Sequence, residues 1–544
     1  MPIRFLLLLF PAALMGQMLN PSLLLKPPTN AWPTYNGDYS GRRFSPLNLI
    51  NESTIDRLNL AWVFRVQPGD TPGSIGGGVA DKARAAQFLH ARSNYDIKST
   101  PLMVDGILYF TTTDNTWAVD ARSGRELWHY YWRSLGGIHI GNRGIGMYGN
   151  WLYFETPDDY LVSLDARTGK ERWHIKIADY KQEYFSTPAP VVVGDHVIVG
   201  TGGDSLDVPG FLEARDPKTG KLQWRWWTEP LKKGDPGSDS WPNIESMRHG
   251  GGMTWVPGTY DPQLHLYYLG TGNPNPVMAG QSRKGKDLFT CTIVALNVDT
   301  GKLVWYFQAS SHDTHDWDAV QTPVLIDGTI DGKPRKLLAQ ASRNGYFFLL
   351  DRTNGKDLVS KPYIDTLNWS LGEDSKGHPI PNHDKDPKVD GVLVSPASGG
   401  GTNWPSPTFD PQTGLFYVSA LQSFAEFYLT DTSKHPQGYG ATQRQAGNRG
   451  TALRAIDYKT GKTVWKHKFP VGEDSGLLST AGKLLFSGDG ADHLVAFDPA
   501  NGHILWHAGL GANVSNGPET FTVDGKQYLV VGAGDSLYAF TLAH

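Results

Sequence analysis

Cysteine is almost missing from this 544-residue sequence: Cys291 stands alone. That excludes an intramolecular disulfide, and without a Cys-x-x-Cys-His the chain attaches no haem covalently. Long apolar runs are missing too. Beyond the first 16 residues nothing approaches the ~20 apolar residues that span a bilayer, so no span is expected in the mature chain. No charge dominates: 50 basic and 54 acidic residues are mixed along the chain for a net −4, with no stripe suited to nucleic acid or anionic lipid. A strong helical period is also lacking. What is abundant is turn and ring, with Gly 62, Pro 36, Trp 18 and Tyr 23, the composition of many short strands.

The N-terminus reads Met-Pro-Ile-Arg4, then Phe5-Leu-Leu-Leu-Leu-Phe-Pro-Ala-Ala-Leu-Met-Gly16. One positive charge, about a dozen apolar residues and a small residue resemble a secretory signal. It is expected to end near residue 18, leaving 19–544 as one exported domain. An uncleaved anchor is the alternative reading.

A pattern recurs seven times: apolar strand, Asp (once Asn), a Gly four residues on, and a short strand that usually ends in Trp. It runs Asp120–Gly124 to Trp128, Asp165–Gly169 to Trp173, Asp216–Gly220 to Trp224, Asn297–Gly301 to Trp305, Asp351–Gly355 with no Trp, Asp457–Gly461 to Trp465, and Asp498–Gly502 to Trp506. Asp can accept bonds from the turn's own amides, Gly supplies a positive φ, and the Trp can dock on a neighbouring repeat. With the Thr/Ser-Pro strand before most copies, each unit is four strands, A to D. Tandem four-stranded units predict an all-β chain, a β-propeller with tryptophan-docking motifs. The terminal Leu537–Leu542 supplies a strand C and Leu58–Phe64, with Trp62, a strand D. Their pairing would close an eight-bladed ring and hide its edges. Seven blades is the alternative.

The densest polar stretch is Ser311-His-Asp-Thr-His-Asp-Trp-Asp318, with three carboxylates and two imidazoles in seven residues, just before a strand A. Such acids repel unless a cation, a proton or a cationic partner relieves them. A solvated Asp-rich turn is the bland alternative. Other polar clusters fall in D-to-A or B-to-C connections, which share one face. They hold Arg143, Thr187, Trp255 after three glycines, Asn403, Asp204 to Asp207, Asn273, and Arg343. Convergence on one mouth of the channel predicts a pocket there. Arginines suit carboxylates, Trp255 suits a flat floor, and Asn273, Asp316 and Asp318 are hard oxygen donors for a large cation. Taken singly, Trp255 reads equally as a blade-packing residue, Arg343-Asn-Gly as a turn, and Asn273 as a loop cap.

With these residues stand the opening Trp32-Pro-Thr-Tyr-Asn-Gly-Asp-Tyr-Ser-Gly-Arg-Arg-Phe-Ser-Pro46, the loop Gly270-Thr-Gly-Asn-Pro-Asn-Pro276, and His-Asp-x-x-Asp downstream. Together they resemble the quinoprotein alcohol dehydrogenases of the methanol/ethanol dehydrogenase type, which use pyrroloquinoline quinone (PQQ). The resemblance covers nearly all of the mature chain. It implies a periplasmic enzyme that oxidises an alcohol, or a related hydroxyl or aldehyde substrate, by metal-assisted hydride transfer to PQQ. A separate c-type cytochrome would take the electrons. Asp316 becomes the catalytic base and a metal neighbour, Asn273 a metal ligand, and Trp255 the floor under PQQ. Arg143, Thr187, Arg343 and Asn403 become PQQ contacts. Asp318 occupies the place that accompanies a lanthanide(III) instead of Ca2+.

The sequence departs from the family at several positions. Gly137 and Ile138 stand where a cysteine pair usually covers PQQ. Ser205 replaces the metal-binding Glu, so Asp204 or Asp207 is expected to substitute. Lys98 replaces an acid and could pair with a PQQ carboxylate. His315 replaces a Trp, and His312 and His315 could tune the base or touch substrate. A non-catalytic propeller acting as scaffold or assembly factor is the alternative function, and a homodimer stays open.

Overall fold

The computed structural model describes residues 18–78, 95–203, 208–469 and 475–543. The leader through residue 17, and Asp204 to Asp207, lie outside the described residues.

The described chain forms eight sheets of four or five strands and one two-stranded hairpin. Each of the eight has an up-and-down core, as in Gly146–Tyr148, Trp151–Glu155, Tyr160–Asp165 and Glu171–Lys176. Inner strands such as Val191–Val193 are buried throughout. Outer strands such as Glu171–Lys176 are half exposed. Burial on both faces explains why inner strands read as continuous apolar runs.

The repeated turn forms as expected. In the first copy the Asp120 carboxylate accepts the amides of Arg122 (2.9 Å) and Ser123 (3.1 Å), and Gly124 has φ +70°. The tryptophans dock on the next unit's turn. Trp62 donates Nε1–H to the Ala121 carbonyl, Trp128 to Ala166, Trp173 to Lys218, Trp224 to Val298, Trp305 to Arg352 and Trp465 to Pro499. Where the repeat lacks its Trp, in strand Lys356–Pro362, Val359 stands in: a Cβ on Gly461 would lie 2.8 Å from its Cγ1. Each of the seven C-to-D hairpins carries a register shift next to its turn, a bulge in the strand pair, and the pairing of the two terminal strands carries one as well, between Leu60 and Trp62.

The ends of the chain meet as expected. Strand Leu58–Arg65 pairs antiparallel with Ser536–Leu542, from Leu58 opposite Leu542 to Arg65 opposite Ser536. The opening segment 29–45 bonds to the first strand, or its edge, in seven of the eight sheets. Trp32 bridges to Met103, and the Tyr39 hydroxyl donates to the Val192 carbonyl. Thr29, Tyr39, Ser40 and Arg42 carbonyls accept the amides of Thr522, Tyr260, Leu325 and Phe409. Phe44 and Ser45 pair in parallel with Ser479 and Thr480. Arg43, buried, donates to the carbonyls of Tyr35, Leu477 and Pro518.

One feature lay outside the sequence reading. Between strands Lys356–Pro362 and Thr408–Asp410 an insertion holds the hairpin Ser370–Glu373/Pro379–Pro381, the 3-10 turn His383–Lys385 and strand Val392–Val394. It packs on the loop that carries Asp316.

Candidate active site

The loops named from the sequence fall where the strand scheme puts them. Residues 309–323 join an outer strand to the next first strand, and 271–291 and 342–345 join second to third strands. Within the 312–318 loop the chain is locked by Asp313, whose Oδ2 accepts the amides of His315 (3.3 Å) and Trp317 (3.1 Å). His315 and Trp317 stack on each other in the protein wall, ring centroids 4.3 Å apart. Asp316 and Asp318 both reach Arg343. Two-residue alternation thus separates rings from acids.

Arg343 is the hub. Its Nη2 lies 3.0 Å from Asp316 Oδ2, its Nη1 2.9 Å from Asp318 Oδ2, and its Nε donates to the Ser398 carbonyl at 2.8 Å. Its own amide donates to Gln321 Oε1 at 3.0 Å. Asp318 ties in two further loops: its Oδ1 accepts the Asn273 amide (2.6 Å) and its Oδ2 the indole N–H of Trp255 (2.9 Å). Glycine makes this approach possible, since a Cβ on Gly272 would sit 2.9 Å from the Met253 amide and 3.1 Å from Asp318 Oδ1.

Thr187 and Arg143 join from the neighbouring sheets. The Arg143 amide donates to the Thr187 carbonyl at 2.9 Å, and the Thr187 hydroxyl to the Trp255 carbonyl at 3.4 Å. The Arg143 guanidinium lies 4.6 Å from the Trp255 ring centre and 5.0 Å from that of Trp404. The structure therefore brings Arg143, Thr187, Trp255, Asn273, Asp316, Asp318 and Arg343 into one connected set. Asn403 stands apart: its side chain serves its own turn, with Nδ2 on the Gly399 carbonyl (3.3 Å) and Oδ1 on the Trp404 amide (2.9 Å).

Trp404 was not singled out by sequence reasoning, although it follows Asn403 in the Gly-rich stretch. Also missed was a carboxyl pair beside Thr187. The Ser186 hydroxyl bonds to both Glu155 and Asp159 (3.0 Å for Asp159), all fully buried. Burial pushes the Asp159 carboxyl up to about 7, despite the Ser186 bond that opposes the shift, with the charge of Glu213 adding to it. Burial also raises Glu155 well above the carboxylate range. His315 does not face the acids: it is buried, and burial lowers its pKa. His312 bonds Asp287 (3.2 Å) and lines a separate cavity of about 540 Å³ with Lys284, Thr314 and His383. Lys98 donates to the Ile140 carbonyl at 2.8 Å, holding the loop that aligns with the missing cysteine pair.

A family model for the β-propeller domain of glucose, ethanol and alcohol dehydrogenases that use PQQ matches residues 32–361. The chain belongs to the quinoprotein alcohol dehydrogenase family. It is 33% identical over 526 residues to the quinoprotein alcohol dehydrogenase PedH of Pseudomonas putida, covering 91% of this chain and 84% of the relative. A quinoprotein ethanol dehydrogenase of Pseudomonas putida is 31% identical, with 96% and 91% covered. Among solved structures, the quinohemoprotein alcohol dehydrogenase of Comamonas testosteroni superposes with a TM-score of 0.85 at 29% identity, covering 97% of this chain and 83% of that one. A europium-containing methanol dehydrogenase superposes at 0.82 and 28%, covering 96% and 100%. A second family model, that of the outer-membrane assembly factor BamB, matches residues 449–544. As a quinoprotein alcohol dehydrogenase the chain is an oxidoreductase with a β-propeller fold.

The residues present fit the family's cofactor. Two indoles flank a guanidinium, which suits a flat polyanion. They also fit a hard cation. Asp316, Asp318 and the side-chain carbonyl of Asn273 are hard oxygen donors, and the bond from the Asn273 backbone amide to Asp318 Oδ1 keeps their loops together. Among the described residues no cluster of three or more His, Cys, Asp or Glu is arranged as a metal cage.

Proposed function

We propose that the chain is a periplasmic PQQ-dependent dehydrogenase that oxidises an alcohol, or a related hydroxyl or aldehyde substrate, and passes the electrons to a separate c-type cytochrome. The fold is read as one eight-bladed ring from residue 19 onward, closed by the terminal strands and preceded by a signal peptide. The observation that carries the catalytic reading is the Arg343 bridge between Asp316 and Asp318, next to Trp255 and Asn273.

Bound there, PQQ supplies the two-electron acceptor and a lanthanide(III) or Ca2+ ion supplies Lewis acidity. Asn273, Asp316 and Asp318 hold the ion, with Asp204 as a further candidate ligand outside the described residues. Trp255 and Trp404 would offer the cofactor flat apolar surfaces, with Arg143 between them as a cationic partner. Arg143, Arg343 and Thr187 bind its polar groups, and Asn403 shapes the turn that presents Trp404. Asp316 takes the hydroxyl proton of the substrate, and Arg343, 3.0 Å away, keeps that carboxylate oriented. Asp318 ties Trp255, Asn273 and Arg343 together, so floor, metal loop and base share one anchor. Its charge favours a trivalent ion.

The assembly-factor alternative arises from the missing Glu and cysteine pair and is joined by the match to residues 449–544, but the connected set, Arg143 to Trp404, lies wholly outside that stretch. Asp316→Asn should lower turnover by about 10²–10⁴-fold, the loss expected for a general base. Dye-linked oxidation across primary alcohols, aldehydes and polyols reads this, and unchanged turnover in the variant would remove Asp316 from the reaction.

A further inference from the structure

The loop bearing Asp316 is fastened to the insertion, not only to its own sheet. The Thr314 hydroxyl donates to Asp386 Oδ1 at 3.0 Å. His315 Nε2 lies 2.8 Å from the Lys385 carbonyl. A carbonyl only accepts, so Nε2 carries the hydrogen. The ring stacks on Trp317 with planes 15° apart and meets Phe427 edge-on at 5.0 Å. Trp317 in turn donates Nε1–H to the Ala397 carbonyl at 3.1 Å and packs on Trp369 at 5.0 Å, both on the insertion.

Between these two anchored rings Asp316 sits at φ +66°. Asp tolerates that left-handed conformation better than most residues. The anchored rings of His315 on one side and Trp317 on the other set the direction in which the carboxylate leaves the loop. Arg343 receives the carboxylate at 3.0 Å, and its own Nε is fixed by Ser398, where the same insertion rejoins the fold.

We propose that His315 is a positioning residue for Asp316: its ring and its Nε2–H bond to Lys385 hold the loop so that the carboxylate meets Arg343. The proposal deepens the reading of Asp316 as the base and rests on it. It also accounts for a histidine where the family carries tryptophan, since an indole likewise offers a flat ring and one N–H.

Three variants of the full chain separate ring from donor. His315→Phe keeps a ring without the N–H, His315→Gln keeps an N–H without the ring, and His315→Trp keeps both. Hydrogen–deuterium exchange of residues 311–318 reads the brace without cofactor. Turnover and PQQ affinity read its consequence. Phe should speed exchange of that segment at least ~10-fold and lower kcat roughly 10–100-fold, the scale of a small misplacement, with PQQ affinity falling less than kcat. Trp should restore both readouts to near wild type, and Gln should fall between. If Phe fails to fold, the Gln–Trp pair carries the same comparison. Wild-type exchange in Phe or Gln, or a Trp variant no better than Phe, would overturn the proposal. A wild-type protein that binds no PQQ would instead defeat the functional reading, and the exchange data would still decide the brace.

Discussion

At the scale of single residues the site is a problem in charge. Asp316 and Asp318 share Arg343, so two carboxylates from one loop are held together by a single guanidinium. The guanidinium suits this role because it bonds two carboxylates at once through different nitrogens, which an ammonium on a flexible stem does less well. Asp159 shows the opposite solution, a carboxyl kept protonated by burial. Its folded pKa of about 7 lies above the usual 3.8, so folding binds the proton. Its stabilising contribution is whole below pH 3.8 and is lost as pH rises to about 7. Asp159→Asn keeps the shape, suits the residue's φ of +63°, and removes the titration. Urea melts should find it more stable than wild type at pH 8 by up to roughly 4 kcal/mol, and near wild type at pH 4. An equal shift at both pH values would show that the carboxyl does not hold its proton.

At the scale of elements the recurring unit is the turn with its docked indole. Gly301 has φ +65°, and a Cβ there would lie 2.4 Å from the Trp224 ring. Gly525 has φ +77° with nothing within 4 Å. Alanine at Gly525 should cost only backbone strain, about 1 kcal/mol. Alanine at Gly301 should cost about 2–4 kcal/mol, because overpacking adds to that strain. Chemical melts of the two variants measure the difference, and equal losses would mean that the dock contributes little. This unit was legible in the sequence because its parts are local: Asp, Gly and Trp lie within nine residues, and the turn needs each of them. The loop assignment was legible for the same reason. The insertion was not, since its strands are short and Val392–Val394 pairs with residues more than thirty positions away.

At the scale of the molecule, contacts distant in sequence do the remaining work. Segment 29–45 reaches seven sheets, and the two chain ends share a sheet. Arg143 meets Trp255 and Trp404 only because the fold brings loops of three sheets together. No local pattern announces such a meeting, which is why Trp404 escaped the sequence while Asp316 and Arg343 did not, and why the burial of Glu155 and Asp159 against Ser186, some thirty residues on, was not legible either. Asn403 shows the converse: its type and place were readable, but the direction of its side chain depends on the fold of its own turn.

The central claim is that this mouth holds PQQ over a hard cation. Absorbance titration of the apo-protein with PQQ, in the presence of lanthanum, calcium or no metal, tests it most directly. Saturable binding of one PQQ per chain that needs a metal, tightest with lanthanum, is the predicted result. Absence of saturable binding under all three conditions would contradict the claim and return Asp316 and Asp318 to an ion-paired structural turn.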